Sequence, residues 1–153
     1  MVRQYKSRGI SLIEMMVVVA IVGLLAMVAI PFTGAWASSS HIQSARGSLM
    51  QAHAQAKAVA LRGQYGLLAW DNAERQIYAC KGFVQPCDHD SDELLWSAKT
   101  AQGVSLRLTG DTADSGHLMF DARGRALDAN HDYLHSVQFV ISKGDDSDEV
   151  ILH

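Results

Sequence analysis

Few side chains in this sequence have the types and spacing that catalysis requires. His131 and His135 form the closest pair among the seven histidines, but no helix is predicted there to bring positions i and i+4 onto one zinc ion. Serine is frequent, yet the chain contains no Gly-x-Ser-x-Gly elbow, no Walker loop and no dinucleotide fingerprint. We therefore expect no enzyme activity, no catalytic residues and no cofactor.

Two acidic segments have carboxylates spaced as in calcium-binding loops. In the segment 88–93 the carboxylates alternate with other residues, but the sixth position is Glu93 rather than glycine and the twelfth is Lys99. The segment 128–132 begins a similar pattern and then departs from it. We expect both to be solvated acidic loops, and no metal site is predicted.

The charge of the chain argues against nucleic acid as a general partner. The formal net charge is −3, and apart from Glu14 every acidic residue lies at or beyond Asp71. Affinity for nucleic acid generally rests on Lys and Arg side chains that neutralise phosphates. An acidic C-terminal part is therefore a poor general binder of DNA or RNA.

Glu14 is the charged residue in the least expected position. Apart from Ser11 and Glu14, the run Ile10–Ile30 is apolar, and a helix of that length spans about 30 Å, the thickness of a bilayer core. Three basic residues precede the run and the next is Arg46, so the positive-inside rule places the N-terminus in the cytoplasm. Glu14 either lies at the depth of the lipid headgroups or takes a cationic partner from another chain.

The only two cysteines, Cys80 and Cys87, follow this predicted membrane helix and would lie on its extracytoplasmic side. A disulfide is the usual state of such a pair there, and closing so short a loop contributes about 2–3 kcal/mol in the chain-entropy model. The alternative is a pair of free thiols. A metal site is not expected, because no second cysteine pair or suitably spaced histidine pair accompanies them.

The residues around Glu14 carry a family resemblance. Arg8-Gly9, then Ile10-Ser11-Leu12-Ile13-Glu14 and a long apolar run, resembles the class III signal of type IV pilins and type II secretion pseudopilins. The resemblance implies cleavage by prepilin peptidase after Gly9 and N-methylation of Ile10, although phenylalanine is commoner than isoleucine there. It also implies that Glu14 neutralises the terminal amine of an adjacent subunit during assembly.

Two further positions match the type IV pilin pattern. Gly23 and Pro31 flank a stretch that melts locally when those pilins assemble, and such residues cost about 1 and 3 kcal/mol in a helix interior. Pro31 is expected to kink the helix without ending it. The alternative is an ordinary signal peptide cleaved near Ala35-Trp36-Ala37, but the apolar run is longer than the core of such peptides.

Beyond Pro31, apolar residues recur at spacings of three and four until about Arg62, which predicts an amphipathic continuation of the same helix. Gly63 and Gly66 then predict its end. Further on, seven short segments have a period of two, which is typical of antiparallel strands. They are 65–71, 75–80, 93–97, 104–109, 117–121, 136–142 and 149–152.

The patterns predict an α+β chain, and the resemblance to the pilins implies its arrangement: a long N-terminal transmembrane helix whose outer half packs on a small antiparallel β-sheet domain. The expected boundaries are a leader peptide at 1–9, the transmembrane helix at 10–30, its amphipathic extension at 31–63 and an antiparallel β domain at 64–153. The chain would cross the bacterial inner membrane once, with the C-terminal domain in the periplasm.

The C-terminal part resembles one branch of the pilin-like proteins, the GspH/FimT family. The resemblance rests on the order of long helix, Cys-x6-Cys near Trp96, and the segment 118–126 before two final strands. It implies a minor pilin that helps to initiate or cap a type IV pilus, or alternatively the minor pseudopilin H of type II secretion. The implied partners are other pilin or pseudopilin subunits, prepilin peptidase and the inner-membrane assembly platform.

A second alternative within this branch is a DNA-binding pilin for natural transformation. Such pilins bind DNA through a C-terminal Gly-Arg-x-Arg element, and Arg123 and Arg125 are the matching candidates here. However, Gly124-Arg125-Ala126-Leu127 lacks the second arginine, and Asp121 and Asp128 flank it. We expect a solvated turn and no nucleic-acid partner.

Overall fold

In a computed structural model, residues 11–82, 92–128 and 130–153 are described, without the side chains of residues 29–35. Helix α1 spans Leu12–Ala60 and continues through Pro31. It ends slightly earlier than the periodicity predicts, because Gly63 turns the chain with a φ of +88°, and its N–H donates to the Ala60 carbonyl at 3.0 Å. Gly66, expected to help stop the helix, is instead the first residue of a strand.

The chain divides into two compact units, 1–37 and 38–153. In the described part of the first unit, the large apolar side chains from Leu12 to Val28 are between 49% and 78% exposed along the helix. No helix within the described residues has both the length and the hydropathy needed to cross a membrane.

The second unit contains the rest of α1 and nine strands within the described residues. The strands are β1 Gly66–Asp71, β2 Gln76–Lys81, β3 Leu94–Lys99, β4 Val104–Leu108, β5 Ser115–Phe120, β6 Ala126–Leu127, β7 Tyr133–Leu134, β8 Val137–Lys143 and β9 Asp146–Leu152. All pairings are antiparallel, with order β3-β2-β1-β5-β6-β7 in one sheet and β4-β8-β9 in the other. The prediction of an α+β fold with antiparallel strands is thus confirmed, but there are two sheets where one was expected.

One face of α1 packs on both sheets and forms the main core. Its buried residues are spaced by three and four, as the sequence predicts: Ile42, Ala45, Leu49, Ala52, Ala56 and Ala60. Alanines bring the helix close to the sheet, and a side chain on Gly66 would overlap the carbonyl oxygen of Ala56. Glycine is therefore required at Gly66 by the close approach of two backbones.

Asn72, in the turn after β1, joins the two sheets. Its side-chain nitrogen donates to the Leu106 carbonyl at 2.9 Å, and its side-chain oxygen accepts from the Leu106 N–H at 2.9 Å. The amide therefore takes the place of a neighbouring strand at the edge of β4. This contact links the edge strand β4 of the three-stranded sheet to the turn that follows β1 of the six-stranded sheet.

Candidate functional site

Glu14 is exposed on the first turn of α1. Within the described part of the chain its carboxylate has no hydrogen bond or ion pair. The predicted cleavage and methylation positions, Gly9 and Ile10, lie outside the described residues. Gly23 and Pro31 lie within the continuous helix, and their part in local melting stays a prediction.

Cys80 lies on β2 and is 1% exposed. It is disulfide-bonded, while Cys87 lies outside the described residues. The pairing of Cys80 with Cys87 therefore stays a prediction. The same limit applies to most of the acidic segment 88–93, of which only residues 92 and 93 are described.

The two candidate arginines lie in the turn between β5 and β6, and Asp121 organises this turn. One carboxylate oxygen of Asp121 accepts the backbone N–H groups of Arg123 and Arg125, both at 2.9 Å. The other oxygen accepts Arg125 Nε at 2.9 Å and Nη2 at 2.6 Å. Gly124 has a φ of +73°, in the left-handed region that glycine tolerates best.

Arg125 is also held by Tyr133. Its Nη2 donates to the Tyr133 hydroxyl at 2.7 Å, and the guanidinium carbon lies 3.9 Å from the centre of the Tyr133 ring. Partial desolvation works to raise the pKa of Asp121, but the hydrogen bonds from the Arg125 side chain and from two backbone amides lower it below its ordinary value. Arg125 is therefore engaged within its own turn, whereas the Arg123 side chain is exposed and has no partner within the described residues.

Asp128 repeats the same turn seven residues later. Its carboxylate accepts the backbone N–H groups of Asn130 at 2.8 Å and Asp132 at 2.9 Å, and its own N–H donates to the Asp132 carbonyl at 3.0 Å. His131, with a φ of +67°, takes the place that Gly124 has in the first turn. The calcium-like spacing of residues 128–132 thus reflects a turn in which a carboxylate binds backbone amides. No group of metal-ligating side chains occurs within the described residues.

A cavity of about 470 Å³ opens beside the first turn. Its walls come from α1, the β5–β7 edge, the start of β8 and the C-terminal residues. The lining side chains are His53, Phe120, Arg125, Ala126, Tyr133, Leu134, His135, Ser136, Val137, Leu152 and His153, together with Gly124. Its size falls within the range of ligand-binding clefts, and it combines an apolar floor with several polar groups.

His53 is the part-buried polar group that α1 contributes to this cavity. Its ring meets Phe120 edge-on, with centroids 5.2 Å apart. Burial, and to a lesser degree the charge of Lys57, lower the pKa of His53 below its ordinary value. Lys57 donates to the His153 carbonyl at 2.7 Å, which holds the C-terminal residue beside the helix.

The cavity is not evident from the sequence. In the sequence, His53 is one polar position among others on an amphipathic helix. Tyr133 lies in a strand of two residues, and an alternating pattern cannot be recognised in so short a strand. The available signal was the spacing of eight residues between Arg125 and Tyr133, which contains one tight turn, at residues 128–132. That spacing alone does not predict a contact.

Comparison with known proteins identifies the N-terminal segment. Searches of curated proteins and of solved structures returned no match. Residues 4–30, which include Gly9, Ile10, Glu14 and Gly23, match the model of the prokaryotic N-terminal methylation motif. This match indicates a type IV pilin-like protein, a structural subunit of a pilus or pseudopilus rather than an enzyme, which associates with other pilins and is processed by prepilin peptidase.

Proposed function

We propose that this protein is a minor pilin that helps to initiate or cap a type IV pilus at the bacterial inner membrane. The observation that carries the proposal is the methylation motif at residues 4–30. It supports cleavage between Gly9 and Ile10, methylation of Ile10, and an assembly role for Glu14. The refined assignment to the GspH/FimT family is part of the proposal.

The exposed helix of the first unit supports a membrane anchor and a place in a filament core. Leaving this much apolar surface in water is unfavourable by about 25 cal/mol for each Å². We propose that residues 10–30 cross the membrane with the N-terminus in the cytoplasm, and that the domain at 64–153 lies in the periplasm. Lipid before assembly, and neighbouring helices after it, would cover the side chains from Leu12 to Val28.

Glu14 supports the assembly step because its carboxylate lacks a partner within the described residues. In surroundings of low dielectric an unpaired carboxylate is costly, and a well-formed ion pair offsets that cost. The amine of Ile10 on a neighbouring subunit has the required charge. The pairing is therefore expected to form as the subunit enters the filament.

Features at both ends of the chain favour a pilus over the other two candidate roles. Ile30-Pro31-Phe32 and the cysteine pair favour the minor pilins over pseudopilin H of type II secretion. DNA binding has less support, because Arg125 is already bound by Asp121 and Tyr133. Asp128 and Asp132, in the next turn, add negative charge nearby.

The test is complementation of a deletion strain with the Glu14→Gln variant. The change keeps the size of the side chain and removes its charge, so leader cleavage and membrane insertion should persist while incorporation into the filament falls. Surface pili, protein secretion and transformation are scored in parallel. Glu149→Gln is the matched control, since the same change on β9 lies far along the chain from the motif.

The three readouts separate the candidate functions. Loss of pili with normal secretion supports the minor pilin, and the reverse result supports the pseudopilin. Loss of transformation alone supports the DNA-binding role. Full activity of Glu14→Gln in all three assays would show that Glu14 is a bystander at headgroup depth.

A further inference from the structure

In the 38–153 unit, exposed side chains of opposite charge that lack partners within the described residues lie at two places along α1. Arg46 binds Asp148 at 2.9 Å, and Lys57 binds the His153 carbonyl at 2.7 Å, so β9 runs alongside α1 in the same direction. Eleven residues of helix and five of strand both correspond to about 16 Å. The turn before β9 and the cavity at its end are thus separated along the helix by about this distance.

The cavity end carries cationic and aromatic groups. Arg123 is exposed and has no side-chain partner within the described residues, and Lys57 and Arg125 are nearby. Two exposed side chains, Leu61 at 59% and Tyr133 at 54%, accompany them. Arginine and tyrosine beside a partly apolar cleft are the residue types that dominate the energetics of protein interfaces.

The opposite end is an acidic turn, residues 144–148, which comprises the connection between β8 and β9 and the first three residues of β9. The two strands pair up to Lys143 and Asp146, so Gly144 and Asp145 form a tight tip. The carboxylates of Asp145 and Asp146 are exposed and have no partner within the described part of the chain. Asp148, in contrast, is held by Arg46.

We propose that the acidic turn of one copy of this chain docks at the cavity of a second copy, with Asp145 and Asp146 beside Arg123. The inference rests on the proposed function, because identical subunits repeated in one orientation along a filament meet through unlike surfaces. Such a head-to-tail contact is heterologous, and it produces an open row of subunits when its rotation does not close a ring. Two copies joined in this way provide a starting pair for filament assembly.

The charge around the cavity favours a short acidic turn over a nucleic acid. Asp121 neutralises Arg125, and Asp128 and Asp132 lie in the turn that follows β6. A phosphate backbone would bring many negative charges past these carboxylates, whereas a tight turn brings only two. Complementary charge at such a rim mainly fixes specificity and orientation.

The experiment uses the full-length chain in its native host, with a photo-crosslinking benzoylphenylalanine in place of the exposed Leu61. After irradiation of cells, mass mapping is expected to place the crosslink on residues 144–148 of a second copy. Arg123→Glu, or Asp145→Lys with Asp146→Lys, should lower the yield by about tenfold. Lys99→Glu, an exposed charge reversal on β3, is the matched control and should leave it unchanged.

A chain that combines all three reversals restores opposite charges and should recover the crosslink, which excludes misfolding as the cause of the losses. A crosslink to another segment, to another protein or to DNA would overturn the proposal. If the chain is present in sheared pili but forms no crosslink, the proposed contact is also overturned. In that case the filament role is unaffected. If the chain is absent from pili, both the proposed function and the proposed contact are refuted.

Discussion

Asp121 and Asp128 perform the same task in two successive turns, each accepting two backbone N–H groups with one carboxylate oxygen. The turns differ at the residue with positive φ, which is Gly124 in the first and His131 in the second. A left-handed conformation costs a residue with a Cβ about 1–2 kcal/mol. These two positions therefore form a natural pair for comparison.

We expect Gly124→Ala to lower the free energy of unfolding by about 1–2 kcal/mol, because the new Cβ adopts a disfavoured φ and meets Lys57 and Leu61 at 3.1–3.2 Å. In contrast, His131→Gly should change it by less than about 1 kcal/mol, since relief of strain is offset by the greater freedom of glycine in the unfolded chain. Denaturant titration of the full chain in detergent measures both. Equal losses in the two variants would contradict the assigned conformations.

Two part-buried histidines predict how stability depends on pH. Burial lowers the pKa of His53, with a contribution from Lys57, and burial lowers the pKa of His117, with a contribution from His131. The unfolded chain then binds protons more readily, so stability is retained above about pH 6.5 and is lost as the pH falls below it. In the variant with both His53→Gln and His117→Gln, the fall in melting temperature between pH 7.5 and pH 5 should be smaller than in the wild type. Identical pH profiles would count against these shifts.

At the scale of elements, the central contact is the one that joins the two sheets. Removing the Asn72 side chain leaves the N–H and the carbonyl of Leu106 without their partner. Asn72→Ala should therefore destabilise the chain by about 1–3 kcal/mol. Asn72→Asp keeps one acceptor but sets a carboxylate against the Leu106 carbonyl, so it should not restore stability. A melting temperature unchanged in both variants would show that the sheets are held together by core packing alone.

The sequence predicted elements well where a periodic pattern was long enough. The helix face at Leu49, Ala52 and Ala56 followed from its spacing, and seven strands overlapped the predicted segments. The sequence did not predict strands β6 and β7, because two residues cannot show an alternating pattern. The division into two sheets was not predicted either, because it depends on tertiary contacts such as the one between the Asn72 side chain and the Leu106 backbone.

The candidate site was predictable only in part, for a related reason. The position of Arg123 and Arg125 in a hairpin turn followed from the local sequence. The sequence did not predict that the Arg125 side chain is bound whereas that of Arg123 has no partner within the described residues. This difference depends on Asp121 and on Tyr133, whose ring the second turn brings beside Arg125. Local patterns specify turns, whereas the engagement of a side chain depends on the whole fold.

For the whole molecule, the N-terminal signal and the C-terminal domain make separate contributions. The motif at residues 4–30 indicates how the chain is processed and what class of assembly it enters. The unit at 38–153 contains the two antiparallel sheets and the cavity. The central claim, a filament subunit, therefore depends first on whether that motif is used.

The most direct test is the intact mass of the full-length protein isolated from the membrane of its native host. Cleavage after Gly9 and methylation predict a chain that begins at Ile10, with residues 1–9 removed and one methyl group added. Fragmentation should place that methyl group on the terminal amine. A mature chain that begins at Ser38, or one that retains residues 1–9, would contradict the account.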